Sequence, residues 1–124
     1  MLKIYEYKNC STCVKALKYL DAKNIKYEKK PIVDEPPTLA ELKKMLAHLK
    51  ADGGSIKNLF NTSGVQYREL KIADRMKQGL SETDALKLLA ENGKLIKRPF
   101  VLTDNMGVVG FKAEQWATKL KDLK

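Results

Sequence analysis

Within the first 29 residues the hydrophobic period changes twice. Leu2-Lys3-Ile4-Tyr5-Glu6-Tyr7 alternates large apolar with charged side chains, the period-2 signature of a strand. Cys13, Ala16, Leu17 and Leu20 then fall at i, i+3, i+4 and i+7, one face of a helix, with Lys15 and Lys18 off that face. Ile25-Lys26-Tyr27-Glu28-Lys29 alternates again. Strand, tight loop, helix and strand together predict a βαβ unit with parallel strands, because parallel neighbours need a crossover connection. Asn9, Ser11 and Thr12 are candidate N-terminal caps for the helix, and Asn24 a candidate left-handed residue at its end.

The middle of the chain has a different texture. Asp34-Glu35-Pro36-Pro37 interrupts the pattern, and Thr38 followed by Glu41 forms a capping-box sequence ahead of Leu39, Leu42, Met45, Leu46 and Leu49. That helix is expected to stop near Asp52-Gly53-Gly54. A short segment, Ile56 to Phe60, precedes the turn cluster Asn61-Thr62-Ser63-Gly64, and helices are predicted over Tyr67–Met76 and Ser81–Asn92, with Asn92-Gly93 as the stop. Residues 34–93 thus read as a mostly helical block. Phe100 to Thr103, the turn Asp104-Asn105 and Met106 to Val109 predict a β-hairpin. A last helix follows, with Ala113, Trp116, Ala117 and Leu120 on one face. The order βαβ, helical block, ββα predicts an α/β thioredoxin-like fold with an inserted mostly helical block. The length of 124 residues and the lack of a linker make it a single domain over 1–124.

Composition excludes several classes of function. At 44% hydrophobic the chain is too apolar for a disordered segment, and no apolar run approaches the ~20 residues of a membrane helix. The opening residues lack a long apolar leader, so a cytoplasmic location and no membrane partner are expected. The net charge of +9 is diffuse. Arginine occurs only at Arg68, Arg75 and Arg98, and the lysines are scattered from Lys3 to Lys124. Nucleic-acid readers cluster their cations on one face, so direct nucleic-acid binding is not expected. A solubilising lysine surface is the plain reading, with an acidic partner or an anionic small substrate as alternatives. No glycine-rich phosphate loop and no acidic cluster suited to magnesium occurs, so no bound cofactor is expected.

Chemistry concentrates in Cys10-Ser11-Thr12-Cys13. Cys10 falls in the loop between the first strand and the first helix, where unpaired N–H groups and the helix dipole stabilise a thiolate. Cys13 lies one turn further on, placed to resolve a first attack by Cys10 as a disulfide; a purely packing role is the other reading of Cys13. Lys8 and Lys15 add local positive charge. A zinc site is not expected, because no second cysteine pair exists and His48 is the only histidine. Arg98-Pro99, just before the third strand, would place a guanidinium near the thiol if the proline lies opposite it, able to hold an oxyanion in two-pronged fashion. A solvent-exposed arginine ahead of an edge strand is the competing assignment.

These residues carry a resemblance. Asn9-Cys10-Ser11-Thr12-Cys13 with Lys15, Asn61-Thr62-Ser63-Gly64 followed by Tyr67-Arg68-Glu69-Leu70, Arg98-Pro99-Phe100-Val101, and Gly110-Phe111-Lys112 together resemble the ArsC/Spx family over essentially the whole chain. The family holds glutaredoxin-linked arsenate reductases and the Spx/MgsR transcriptional regulators. The resemblance implies Cys10 as nucleophile, Cys13 as its redox partner in a disulfide, and Arg98 as an oxyanion-binding residue, with Asn9, Ser11, Thr12, Pro99 and Lys112 around the substrate. Glutathione-dependent members use two further arginines, whose positions fall near Ser63 and near Phe111-Lys112. This chain has no arginine there; Lys112 supplies a charge without a planar fork.

Two functions follow as expectations. In the first, the protein is a thiol-dependent oxidoreductase resembling arsenate reductase, served by an external thiol reductant: glutathione with glutaredoxin, or thioredoxin. In the second, it is a redox-sensing regulator of Spx/MgsR type that binds the RNA polymerase alpha subunit, with Asp52-Gly53 near the turn such proteins present to that partner. A monomer is expected in either case.

Overall fold

The computed structural model describes residues 2–8 and 10–120. Strand β1 (Leu2–Glu6) forms beside β2 (Tyr27–Pro31), parallel, with Leu2 opposite Tyr27 and Glu6 opposite Pro31. Helix α1 (Ser11–Ala22) is the crossover between them. Asn24 takes the left-handed conformation (φ 56°) that lets the chain turn back, as its short polar side chain tolerates. The second strand starts two residues later than its alternation predicts, because Ile25 is buried under the sheet before pairing begins.

The hairpin β3 (Phe100–Leu102) and β4 (Gly107–Val109) completes a mixed sheet of order β2-β1-β3-β4, with β3 antiparallel to both neighbours. Its turn is tightened by Thr103, whose hydroxyl accepts the N–H groups of Asn105 and Met106. Strand alternation divides the core in two. Leu2, Ile4, Val101 and Val108 face Ala16 and Leu20 of α1 and Trp116 of α6 (Ala113–Lys119). Tyr5, Phe100 and Leu102 face the helical block. The predicted fold, thioredoxin-like with a helical insertion, is the observed one.

The block contains α2 (Leu39–Ala51), α3 (Val65–Glu69), α4 (Ile72–Lys77) and α5 (Glu82–Glu91). The capping box at Thr38 forms in full, and Ser81 caps α5. The single helix expected over Tyr67–Met76 is two, because Lys71 takes a left-handed backbone (φ 54°) that breaks the helical ladder. Gly93 serves a purpose its stop-signal reading did not include. A Cβ there would lie 1.9 Å from the Ile32 carbonyl oxygen, so only glycine permits this close approach of the block to the chain leaving β2.

One tether shapes the site. Phe60 and Ile96 form an isolated antiparallel bridge, flanked by Asn61 N–H to the Leu95 carbonyl (2.7 Å) and Lys97 N–H to the Leu59 carbonyl (2.8 Å). It carries the Asn61–Gly64 turn of the insertion to the segment that enters β3.

Candidate active site

Helix α1 starts at Ser11, so the residue in capping position is Cys10, with extended backbone (φ −100°, ψ 111°). Its sulfur accepts the Cys13 N–H at 3.2 Å. Asn9, Ser11 or Thr12 was the expected cap; the thiol itself takes that place among the described residues. Ser11 is instead the exposed first helical residue, Thr12 is half-buried, and Asn9 lies outside the described residues. The Cys10 N–H donates to the Tyr7 carbonyl at 3.0 Å, which fixes the loop leaving β1. The first turn of α1 carries no acidic side chain, so nothing there opposes a negative sulfur. That arrangement suits a nucleophilic thiolate.

Cys13 is fully buried, one turn behind Cys10, and both thiols are free. Burial pushes the Cys13 thiol up to about 12, helped by hydrogen bonding with Cys10, while the Tyr7 backbone and the Arg98 guanidinium pull weakly downward. The two cysteines therefore have different environments, one open to substrate and one held protonated in the interior.

Cys10, Ser11, Thr12, Arg98 and Lys112 line one groove of about 660 Å3. The resemblance implied a site role for all five. The Arg98–Pro99 peptide bond is cis, and the Arg98 guanidinium lies 4.7 Å over the Tyr7 ring. Arg98 is thus half-buried at the groove wall, not an exposed arginine ahead of an edge strand. Pro99 does not line the groove: it is buried behind it, and its carbonyl accepts the Gly110 N–H at 2.9 Å. Lys8 and Lys15 are exposed and also stand outside the lining.

Four contributors escaped the sequence reading: Lys97, Tyr7, Val65 and Val109. Lys97 and Val65 reach the groove because of the Phe60–Ile96 tether, a long-range pairing with no local sequence signal. Tyr7 ends the first alternating run and reads as one more strand residue. Ser63, near one of the positions where the resemblance implies an arginine in glutathione-dependent members, lines the groove as well. His48 is alone, and among the described residues no three histidine, cysteine or acidic side chains gather as a metal site. Among those residues, too, no helix is long and apolar enough to cross a membrane.

A four-stranded mixed sheet with a cysteine pair at the first strand–helix junction, and a mostly helical block inserted between its second and third strands, defines a thioredoxin-like protein. The ArsC family model matches residues 5–119, and this chain belongs to the ArsC family. It is similar to the crystal structure of an ArsC family related protein from Bacteroides fragilis: 44% identity, TM-score 0.86, covering 94% of this chain and 95% of that one. It is similar also to a structure from Streptococcus mutans UA159 described as a possible arsenate reductase, at 38% identity and TM-score 0.80, covering 91% and 92%. A third relative, the regulatory protein MgsR of Bacillus subtilis, is 28% identical over 110 residues, 89% of this chain and 82% of that protein.

Proposed function

We propose that the protein is a thiol-dependent oxidoreductase of arsenate reductase type, with Cys10 as nucleophile and Cys13 as resolving thiol. One observation carries the reading: the Cys10 sulfur caps α1 at the mouth of a cation-lined groove, with a fully buried second thiol directly behind it. The Cys10 thiolate attacks the substrate, and Arg98 steadies the negative charge that develops. Cys13 then gives up its proton and displaces the product, leaving a Cys10–Cys13 disulfide. An external thiol, glutathione with glutaredoxin or thioredoxin, returns the dithiol. The test is turnover of arsenate and of a small disulfide with each reductant system. Turnover that vanishes in Cys10→Ser and falls strongly in Cys13→Ser supports the assignment; turnover surviving in Cys10→Ser overturns it.

The likeness to MgsR favours a second reading, a redox-sensing regulator that binds the RNA polymerase alpha subunit. The exposed Asp52-Gly53 turn after α2, with Gly53 at φ 89°, is the surface it would use. A pull-down with the alpha subunit, repeated with reduced and oxidised protein, separates the two. Capture that depends on oxidation state, with no turnover in any system, would replace the enzyme reading.

A further inference from the structure

Resting on the oxidoreductase reading, and naming its substrate class, we infer that Lys97 is a third anion-binding residue of the Cys10 groove, selecting an organic disulfide that carries carboxylates. Lys97, Arg98 and Lys112 all line the groove, and among the described residues no acidic side chain does. The ion pairs among the described residues are Lys3–Glu41, Lys50–Glu82 and Lys119–Asp52, so none of the three cations is spent on a carboxylate of those residues. An unneutralised cluster of one sign raises the local concentration of ligands of the opposite sign.

The position of Lys97 is built, at both ends. Its backbone N–H is tied to the Leu59 carbonyl at 2.8 Å. Its side chain then crosses Gly110, where a Cβ would lie 2.9 Å from the Lys97 Cε and 3.9 Å from Nζ. Gly110 has φ 74°, a conformation glycine accepts freely, and its carbonyl is held by the Trp116 indole N–H at 3.0 Å. The bare glycine surface is the track along which the lysine stem runs to the groove.

The character of the lining selects the kind of anion. A compact tetrahedral oxyanion is best held by several planar guanidinium forks, and this groove has one, Arg98, beside two point charges. Its volume, about 660 Å3, is that of a site for a drug-sized organic molecule. Val65, 58% exposed, Val109 and Phe111 offer apolar contact along it. Two ammonium point charges and an apolar wall fit an extended molecule with carboxylates distant from its sulfurs. In the reaction, the Cys10 thiolate attacks one substrate sulfur, the substrate S–S bond breaks, and the first thiolate leaves. The Cys13 thiol, losing its proton, attacks the Cys10 mixed disulfide and releases the second. The substrate disulfide gains two electrons and the protein dithiol is oxidised.

The experiment measures the second-order rate of thiol loss at Cys10 with three aliphatic disulfides: dithiodipropionate (two carboxylates), hydroxyethyl disulfide (neutral) and cystamine (two ammonium groups). Parent, Lys97→Gln, Lys97→Arg and, as a distant control on the exposed side of α5, Lys87→Gln are compared. The anionic-to-neutral rate ratio is expected to fall about five-fold in Lys97→Gln, the size of one partly screened charge interaction. Lys97→Arg should restore it, Lys87→Gln should match the parent, and added salt should shrink the ratio. Equal ratios in parent and Lys97→Gln, with Cys10 reacting normally, overturn the anion assignment alone. A Cys10 inert to the neutral disulfide as well overturns the thiol-exchange reading beneath it.

Discussion

Cys10 and Cys13 are the same residue type three positions apart, and their surroundings separate them. Because burial holds Cys13 near 12, it stays a thiol at neutral pH and is shut away from reagents. Alkylation of the reduced native protein, read by peptide mass, should label Cys10 first at pH 7 and Cys13 only on unfolding; preferential labelling of Cys13 would reverse the assigned roles. The same shift has a consequence at alkaline pH. An acid raised from 9.0 to about 12 keeps its proton in the native state after the unfolded chain has lost it. Stability is therefore intact below pH 9 and declines as pH rises from 9 toward 12. Cys13→Ala should lose less stability than the parent across that window in denaturant titrations. Tyr7 acts at the same scale, since its ring face carries Arg98. Tyr7→Leu should raise KM for an anionic disulfide about two- to five-fold, the usual worth of an exposed cation–π contact, whereas Tyr7→Phe should not.

At the scale of elements, the Thr38–Glu41 box does more than cap α2. Glu41 Oε1 accepts the Tyr5 hydroxyl at 2.7 Å and Oε2 the Lys3 ammonium at 3.0 Å, so this one carboxylate pins α2 to β1. Burial raises its pKa, but the Thr38 backbone, Tyr5 and Lys3 outweigh that and hold it below the ordinary value of 4.5. A depressed carboxylate stabilises the fold above its unfolded pKa, and that contribution fades as pH falls through the folded one. Glu41→Gln should accordingly destabilise at pH 7 by about 1 kcal/mol, within the range of a lost cap, and the deficit should shrink as pH falls below the ordinary carboxylate value of 4.5. Thermal unfolding at the two pH values measures both. The cap at α5 is simpler: Ser81→Ala should cost about 1 kcal/mol without a pH signature.

For the molecule as a whole, α6 joins the second core to the site. Trp116 is fully buried against Tyr19 and Phe111, and its indole N–H holds the Gly110 carbonyl. Trp116→Ala should cost about 3–5 kcal/mol in denaturant unfolding, as for other large core truncations. Trp116→Phe keeps the apolar bulk and loses the hydrogen bond that holds Gly110. It should therefore reduce the anionic-to-neutral selectivity at Cys10 more than it reduces stability. As the one tryptophan, Trp116 also reports the transition directly, through a red shift of its emission on exposure.

Much of this protein was legible along the chain, because hydrophobic period and capping are local. The βαβ opening, the capping box at Thr38 and the cap at Ser81, the hairpin, and the cysteine pair at a helix mouth all follow from residues within a few positions of one another. Even the break at Lys71 arises inside one short segment, although no propensity of lysine announces it. What only the tertiary structure decided depends on partners far apart in sequence. The Phe60–Ile96 bridge draws Lys97 and the Asn61–Gly64 turn to Cys10, and the lysine stem passes the bare surface of Gly110 at the groove. Tyr7 catches the guanidinium of a residue from the opposite end of the chain. The alternation of β1 places Tyr5 and Lys3 on the face where Glu41 arrives. Local rules name the candidate nucleophile; the burial that distinguishes Cys13 from it, and the charges that surround it, exist only once the sheet has closed.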